Sequence, residues 1–203
     1  MANADTPRGL QPVRYAGGGP YSGATNQYYH DSGNGVAIFK GDLVTLTGSS
    51  TLVNIGGTVR SLPNVVQGAT GDVFTGVCVS VEPESRDSTT YCAASTSRII
   101  NVCDDPAVLF EAQDVNSGTP LTANDVGLNV NVVVGSGSTV TGYSAMTLDN
   151  TTEATTNTLD LKIMAQVNRA DNDPGSAAGT GAAAGKYLVR INRHRSANQV
   201  AGL

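Results

Sequence analysis

The sequence predicts a mainly β protein: a small β-barrel or sandwich body with an extended N-terminal arm and a C-terminal basic strand. Three observations carry this. The aliphatic residues lean toward Val, Trp is absent and aromatics make up only 5%, which suits a pleated, half-buried surface better than a helical bundle. Apolar runs of strand length recur between clusters of Gly, Pro, Asn and Asp, the spacing of an all-β fold. The 24 glycines among 203 residues call for many turns between short elements.

Residues 1–35 contain Pro7, Pro12, Pro20 and the run Gly17-Gly18-Gly19 without an apolar period of two or 3.6, and read as an arm. Its tyrosines, Tyr15, Tyr21, Tyr28 and Tyr29, with Arg8 and Arg14 beside them, suit an anchor, because Tyr buries large area and keeps a polar handle. The arm is therefore expected to lie along a partner and to be removable without unfolding the body.

The body is expected over residues 36–170. After a Gly41-Asp42 turn, L-V-T-L alternates as a strand. Strand-sized runs follow: T-L-V-N-I before Gly56-Gly57, D-V-F-T-G-V-C-V-S-V before Glu82-Pro83, then T-Y-C-A-A, R-I-I-N-V and A-V-L-F-E-A-Q, each bounded by turn residues. A short helix is expected from Thr122 to Leu128, with a Thr cap, an Asp three residues on and a Gly near its end. Beyond it L-N-V-N-V-V-V-G, S-T-V-T-G-Y-S-A-M-T-L and L-D-L-K-I-M-A-Q-V read as strands. Residues 171–185 read as a Gly/Ala-rich loop. Residues 186–203 read as a strand and tail, with Tyr187, Val189 and Ile191 on one face.

The net charge is -5, which argues against generic nucleic-acid binding, since that depends on clustered cations. The charge is unevenly spread. Residues 41–185 hold five basic groups (Arg60, Arg86, Arg98, Lys162, Arg169) against fifteen acidic ones, while residues 186–203 hold Lys186, Arg190, Arg193 and Arg195 with no acidic side chain. A basic end on an acidic body suits docking on an acidic protein surface, including that of an identical neighbour. No charged-then-apolar leader and no membrane-length apolar run is seen, so a soluble protein is expected.

No enzyme signature emerges. G-T-G-A-A-A-G-K near the C-terminus invites comparison with a phosphate-binding loop, but Thr180 stands where the first glycine belongs and Tyr187 where the magnesium-binding Ser or Thr belongs. The two histidines, His30 and His194, lie in segments expected to be irregular or interfacial, and no G-x-S-x-G elbow accompanies them. Cys78, Cys92 and Cys103 are an odd number without a C-x-x-C pair and read as buried thiols rather than a disulfide or zinc framework. Asp171-Asn172-Asp173 runs straight into Pro174-Gly175, a turn rather than a calcium loop. Asp104-Asp105-Pro106 and Glu82-Pro83-Glu84 read as loop acids. Neither a metal nor a cofactor is expected.

Several pieces together carry a resemblance: A-N-A-D-T-P-R-G-L-Q-P-V-R at the start, K-G-D-L-V, F-T-G-V-C-V, V-L-F-E-A-Q followed by L-T-A-N-D-V-G-L-N-V-N-V, and K-Y-L-V-R-I-N-R-H-R near the end. Over nearly the whole chain the sequence resembles tailed-bacteriophage capsid decoration, or cement, proteins. The resemblance implies a β-rich virion protein without enzymatic activity, made in the host cytoplasm. It would bind the outer surface of an icosahedral head built from an HK97-type major capsid protein, usually as a homotrimer, with no membrane partner. It supplies no catalytic residues. The interaction residues expected from the sequence are Arg8, Arg14, Tyr15, Tyr21, Tyr28, Tyr29, Arg190, Arg193 and Arg195. A minor head or tail protein, such as an adhesin domain, is the alternative within this class, and a carbohydrate-binding β-sandwich module the alternative outside it.

Overall fold

The computed structural model describes residues 3–173 and 183–202. The fold is mainly β, as the sequence predicts. The strands in chain order are β1 (Gln11–Tyr15), β2 (Asn26–His30), β3 (Leu43–Ile55), β4 (Thr58–Gln67), β5 (Gly76–Val81), β6 (Arg98–Cys103), β7 (Val108–Gln113), β8 (Asn129–Val130), β9 (Val132–Val133), β10 (Thr147–Leu148), β11 (Leu161–Gln166) and β12 (Lys186–Ile191). A closed barrel takes the order β2-β4-β3-β5-β6, and a five-stranded antiparallel sheet the order β1-β7-β12-β11-β8. β2 closes the barrel by running antiparallel to β6 and touching β4 in parallel at Tyr29 and Asn64.

Alternation along the barrel strands explains how the two units join. Val44, Cys78, Val102 and Ile100 point into the barrel interior, with Ile38, Val65 and Cys92. Their chain neighbours Leu43, Val77 and Cys103 point the other way, into a second core shared with Phe74, Phe110, Leu148, Ile163, Tyr187 and Val189. Side chains change face at each residue of a strand, so β5, β6 and the start of β3 at Leu43 and Val44 bury both faces and form a wall common to barrel and sheet. That is why F-T-G-V-C-V is apolar almost throughout. Burying each such side chain contributes roughly 2 kcal/mol.

The C-terminal strand lies inside the sheet, between β7 and β11. Tyr187, Val189 and Ile191 share its buried face, and the Tyr187 hydroxyl donates to the Leu121 carbonyl at 2.5 Å. All three cysteines are free and buried.

The N-terminal segment departs from the arm expected for it. β1 pairs with β7 at the edge of the sheet, β2 is a barrel stave, and Leu10 and His30 are buried. The outer edge of β1 is covered by its own chain, where Arg14 bridges Pro20. These strands escape a period-two reading because each is only five residues long and mixes Gln, Pro, Arg, Asn and Tyr. Pro12 is tolerated because β1 is an edge strand.

Other elements differ in extent. L-V-T-L and T-L-V-N-I form one 13-residue strand, and T-Y-C-A-A contributes only an isolated bridge between Cys92 and Ile38. L-N-V-N-V-V-V breaks after Val130, where Asn131 donates its N–H to the Thr152 hydroxyl and Val132 donates to Asp160; β9 then pairs with β10, all that is regular in S-T-V-T-G-Y-S-A-M-T-L. The expected helix is a single 3-10 turn, Ala123–Asp125, whose capping box joins Thr122 and Asp125. Most of the Gly/Ala-rich segment, residues 174–182, lies outside the described residues.

A backbone crossing fixes the N-terminus to the barrel. Gly9 (φ 66°) and Gly41 (φ 94°) meet so closely that a Cβ on Gly41 would stand 2.2 Å from the Arg8 carbonyl oxygen. Leu10 N–H donates to the Gly41 carbonyl, and Gly41 N–H to the Cys78 carbonyl. Gly57, at the β3–β4 turn, has a similar φ of 86° but open space around it. Gly41→Ala is therefore expected to cost at least about 2 kcal/mol and Gly57→Ala about 1 kcal/mol; urea denaturation compares them, and equal costs would mean that the crossing relaxes freely. Deletion of residues 1–35 is expected to abolish cooperative thermal unfolding. A truncated protein that melts sharply near the full-length Tm would make β1 and β2 dispensable.

Candidate interaction surface

The outward face of the five-stranded sheet gathers the basic residues. Because Tyr187, Val189 and Ile191 point inward, Lys186, Leu188 and Arg190 point outward, half-exposed. Arg190 pairs across to Lys162 on β11, and Arg14 on β1 pairs with Leu109 on β7. Val189 lies opposite Phe110, so Arg190 is adjacent to Leu109. Arg14, Leu109, Arg190 and Lys162 thus make one row across four strands. Like charges directly opposite on a sheet destabilise it; Lys162 donates to the Ala201 carbonyl at 2.9 Å, and among the described residues no carboxylate is ion-paired with Arg14, Arg190 or Lys162.

Beside this row lie two acids, Glu111 on β7 and Asp171 in the turn after β11. Arg169 grips Glu111 with two hydrogen bonds of 2.7 and 2.9 Å, and its Nε donates to Asp171 at 2.9 Å. Lys186 reaches the other Asp171 oxygen at 3.1 Å. Hydrogen bonds from Arg169 and then Lys186 hold the Asp171 carboxyl down at about 2. The same groups line a cleft of about 330 Å³ with Thr6, Arg8 and Gln11. Arg169 to Asn172 form a turn closed by the Asn172 N–H on the Arg169 carbonyl, and the Asn172 side chain donates to the Val167 and Lys186 carbonyls; Asp171 and Asn172 thus sit in a turn and Asp173 just beyond it.

The expected interaction residues fall into separate groups. Arg14 and Arg190 share the basic row, while Arg8 lies at the cleft with its guanidinium 5.2 Å from the Tyr143 ring centre. Arg193 is turned inward, donating to the Asp72 and Thr158 carbonyls, and Arg195 is exposed beyond it, held by its N–H to the Phe74 carbonyl. The tyrosines are engaged within the chain rather than carried on an arm. Tyr15 and Tyr21 pack on the sheet core with ring centres 6.3 Å apart, and Tyr28 packs on the barrel core and donates to Asp104 at 2.7 Å. Tyr29 is half-buried between Ile99 and Asn64. Lys162 was hidden in the acidic stretch of the sequence; the alternation of L-D-L-K-I placed it outward, but only the strand order puts it beside Arg190.

The histidines are buried rather than exposed or interfacial. His30 Nδ1 lies 2.8 Å from the Thr96 carbonyl oxygen and 3.3 Å from the Cys92 sulfur, and Nε2 lies 3.0 Å from the Val36 carbonyl oxygen. His194 bridges to Phe74, and burial lowers its pKa. Burial also raises the thiols, Cys92 to about 11, so they are held in the unreactive protonated form. Among the described residues, no cluster of three or more His, Cys, Asp or Glu is placed to hold a metal, and no helix is long and apolar enough to cross a membrane.

Three aspartates are buried without a cationic ion pair among the described residues: Asp42, Asp114 and Asp160. Each carboxyl is pushed up by burial, Asp114 to about 7. Asp114 accepts from the Leu121 N–H at 3.0 Å through one oxygen, while its other oxygen has no partner.

Comparison with family models, with curated proteins and with solved structures finds no match for this chain.

A carboxyl whose pKa is higher folded than unfolded favours the fold in its protonated form. Its contribution is complete below about pH 4 and is lost as pH rises through about 7. Wild-type stability should fall between about pH 5 and pH 8, and Asp114→Asn should remove on the order of 2 kcal/mol of that fall. Thermal melts across this range read the difference, and identical slopes would place the titration elsewhere.

Proposed function

We propose that this protein is a virion structural protein that decorates and stabilises the outer surface of an icosahedral phage head by binding an HK97-type major capsid protein, without catalytic activity. The observation that carries this reading is the basic row of Arg14, Arg190 and Lys162 on the sheet of a chain whose net charge is -5. A row of like charges held against cross-strand repulsion is explained by a partner that supplies the carboxylates.

The resemblance to decoration proteins supports the same reading, since K-Y-L-V-R-I-N-R-H-R, one of the segments that carries it, contains β12. A decorated head presents the same face many times, so modest contacts add up through avidity. Several copies of this chain around a symmetry axis would engage it together, and a homotrimer is the form proposed.

Charge reversal tests this. Arg14→Glu and Arg190→Glu are each expected to weaken co-sedimentation with empty heads about tenfold, and added salt to weaken the wild type in the same direction. Wild-type protein that leaves the heads in the supernatant at low salt, or reversed variants that bind as well as wild type, would sink the proposal.

A further inference from the structure

The β3–β4 hairpin extends past the barrel as a two-stranded ribbon. β3 has a second neighbour only at Leu43 and Val44, where it meets β5, and β4 only at Asn64, where it meets β2. Among the described residues, Ser50 to Ile55 and Thr58 to Pro63 pair only with each other. Such a ribbon alone in water is marginal, and both its edges are open.

Its two faces differ. Leu52 opposite Ser61 and Asn54 opposite Val59 share one face, on which Leu52 is 72% and Val59 63% exposed. On the other face Leu62 is buried and Thr51, Val53 and Ile55 are half-buried. The base of the ribbon is held in one direction by side chains. Thr51 donates to the Asn64 side-chain amide oxygen at 3.0 Å, the Asn64 amide nitrogen donates to Ser49 at 3.2 Å, and Ser49 lies 2.7 Å from the Thr47 hydroxyl. A direction fixed before contact lowers the ordering cost of association.

The charge pattern selects the occupant. From Leu43 to Gly71 the chain has no carboxylate and one cation, Arg60, in a protein with 17 acidic residues and a net charge of -5. Copies of an acidic chain repel each other over most of their surface, and this stretch is where the repulsion is absent. Arg60 lies opposite Val53 on the other face, so the face of Leu52 and Val59 carries no charge and has little with which to select a charged partner, while the same face of another copy matches it in polarity.

We infer that the ribbon is where copies of this chain meet, the faces carrying Leu52 and Val59 converging on the axis that relates the copies. The contact buries both side chains from each copy. The inference rests on the capsid reading only for the expectation that copies act together, and its test uses the isolated protein.

The test is the solution mass of the full chain by light scattering and sedimentation velocity, at low and high salt. Wild type is expected at a multiple of 20.7 kDa. Leu52→Asp with Val59→Asp is expected at the monomer mass with an unchanged Tm, because neither side chain belongs to a core. Val140→Asp, at an exposed site outside the ribbon, should keep the wild-type mass. A monomeric wild type, or a ribbon variant that stays oligomeric, overturns the inference. Either result leaves head binding by the sheet face standing, since co-sedimentation reads that separately.

Discussion

The rest of this molecule depends on a wall buried on both sides, made of β5, β6 and the first residues of β3. β3, β5 and β6 are the inner wall of the barrel and, one residue out of phase, the floor on which the sheet rests. A strand with two dry faces must be apolar at consecutive positions, and it cannot slip by one residue without exchanging one core for the other. The register of the wall therefore sets the height of the sheet above it, and through the sheet the placement of β12 and its outward basic residues. The Gly9–Gly41 crossing anchors the chain start to the same wall through Cys78.

The parts of this arrangement that were legible in the sequence are those where one residue in two is apolar over a full strand. K-Y-L-V-R-I is such a case, and its inward and outward faces follow from alternation alone. β1 and β2 were not legible, because five-residue strands joined at a barrel and a sheet edge need few apolar positions, and their prolines and tyrosines also fit an extended arm. The break between Val130 and Val132 was invisible for another reason. It depends on Thr152 and Asp160, residues distant in sequence that take the backbone N–H groups a longer strand would have given to a neighbour.

The charge pattern shows the same division. That residues 186–203 are basic could be counted, but what matters for a surface is which cations the fold sets side by side. Arg193 belongs to that basic segment and is spent on the carbonyls of Asp72 and Thr158, while Lys162, from the acidic stretch, stands opposite Arg190 with its ammonium on the Ala201 carbonyl. Buried aspartates were equally hidden, since an aspartate before a turn looks the same whether it faces water or, like Asp42, accepts from Phe39 and Gln67 inside the protein.

The position of β12 has a consequence for how the chain is made. The strand nearest the end of the sequence is the middle of the sheet, with β7 on one side and β11 on the other. On a ribosome the barrel strands, all complete by Cys103, emerge first and can close while the sheet still lacks its centre. β1 and β7 must then wait, with the apolar side of the wall uncovered, until Lys186–Ile191 have been synthesised and inserted between two strands already in place. Such late, long-range closure is slow, and nascent chains stalled before Lys186 would present that uncovered face to chaperones.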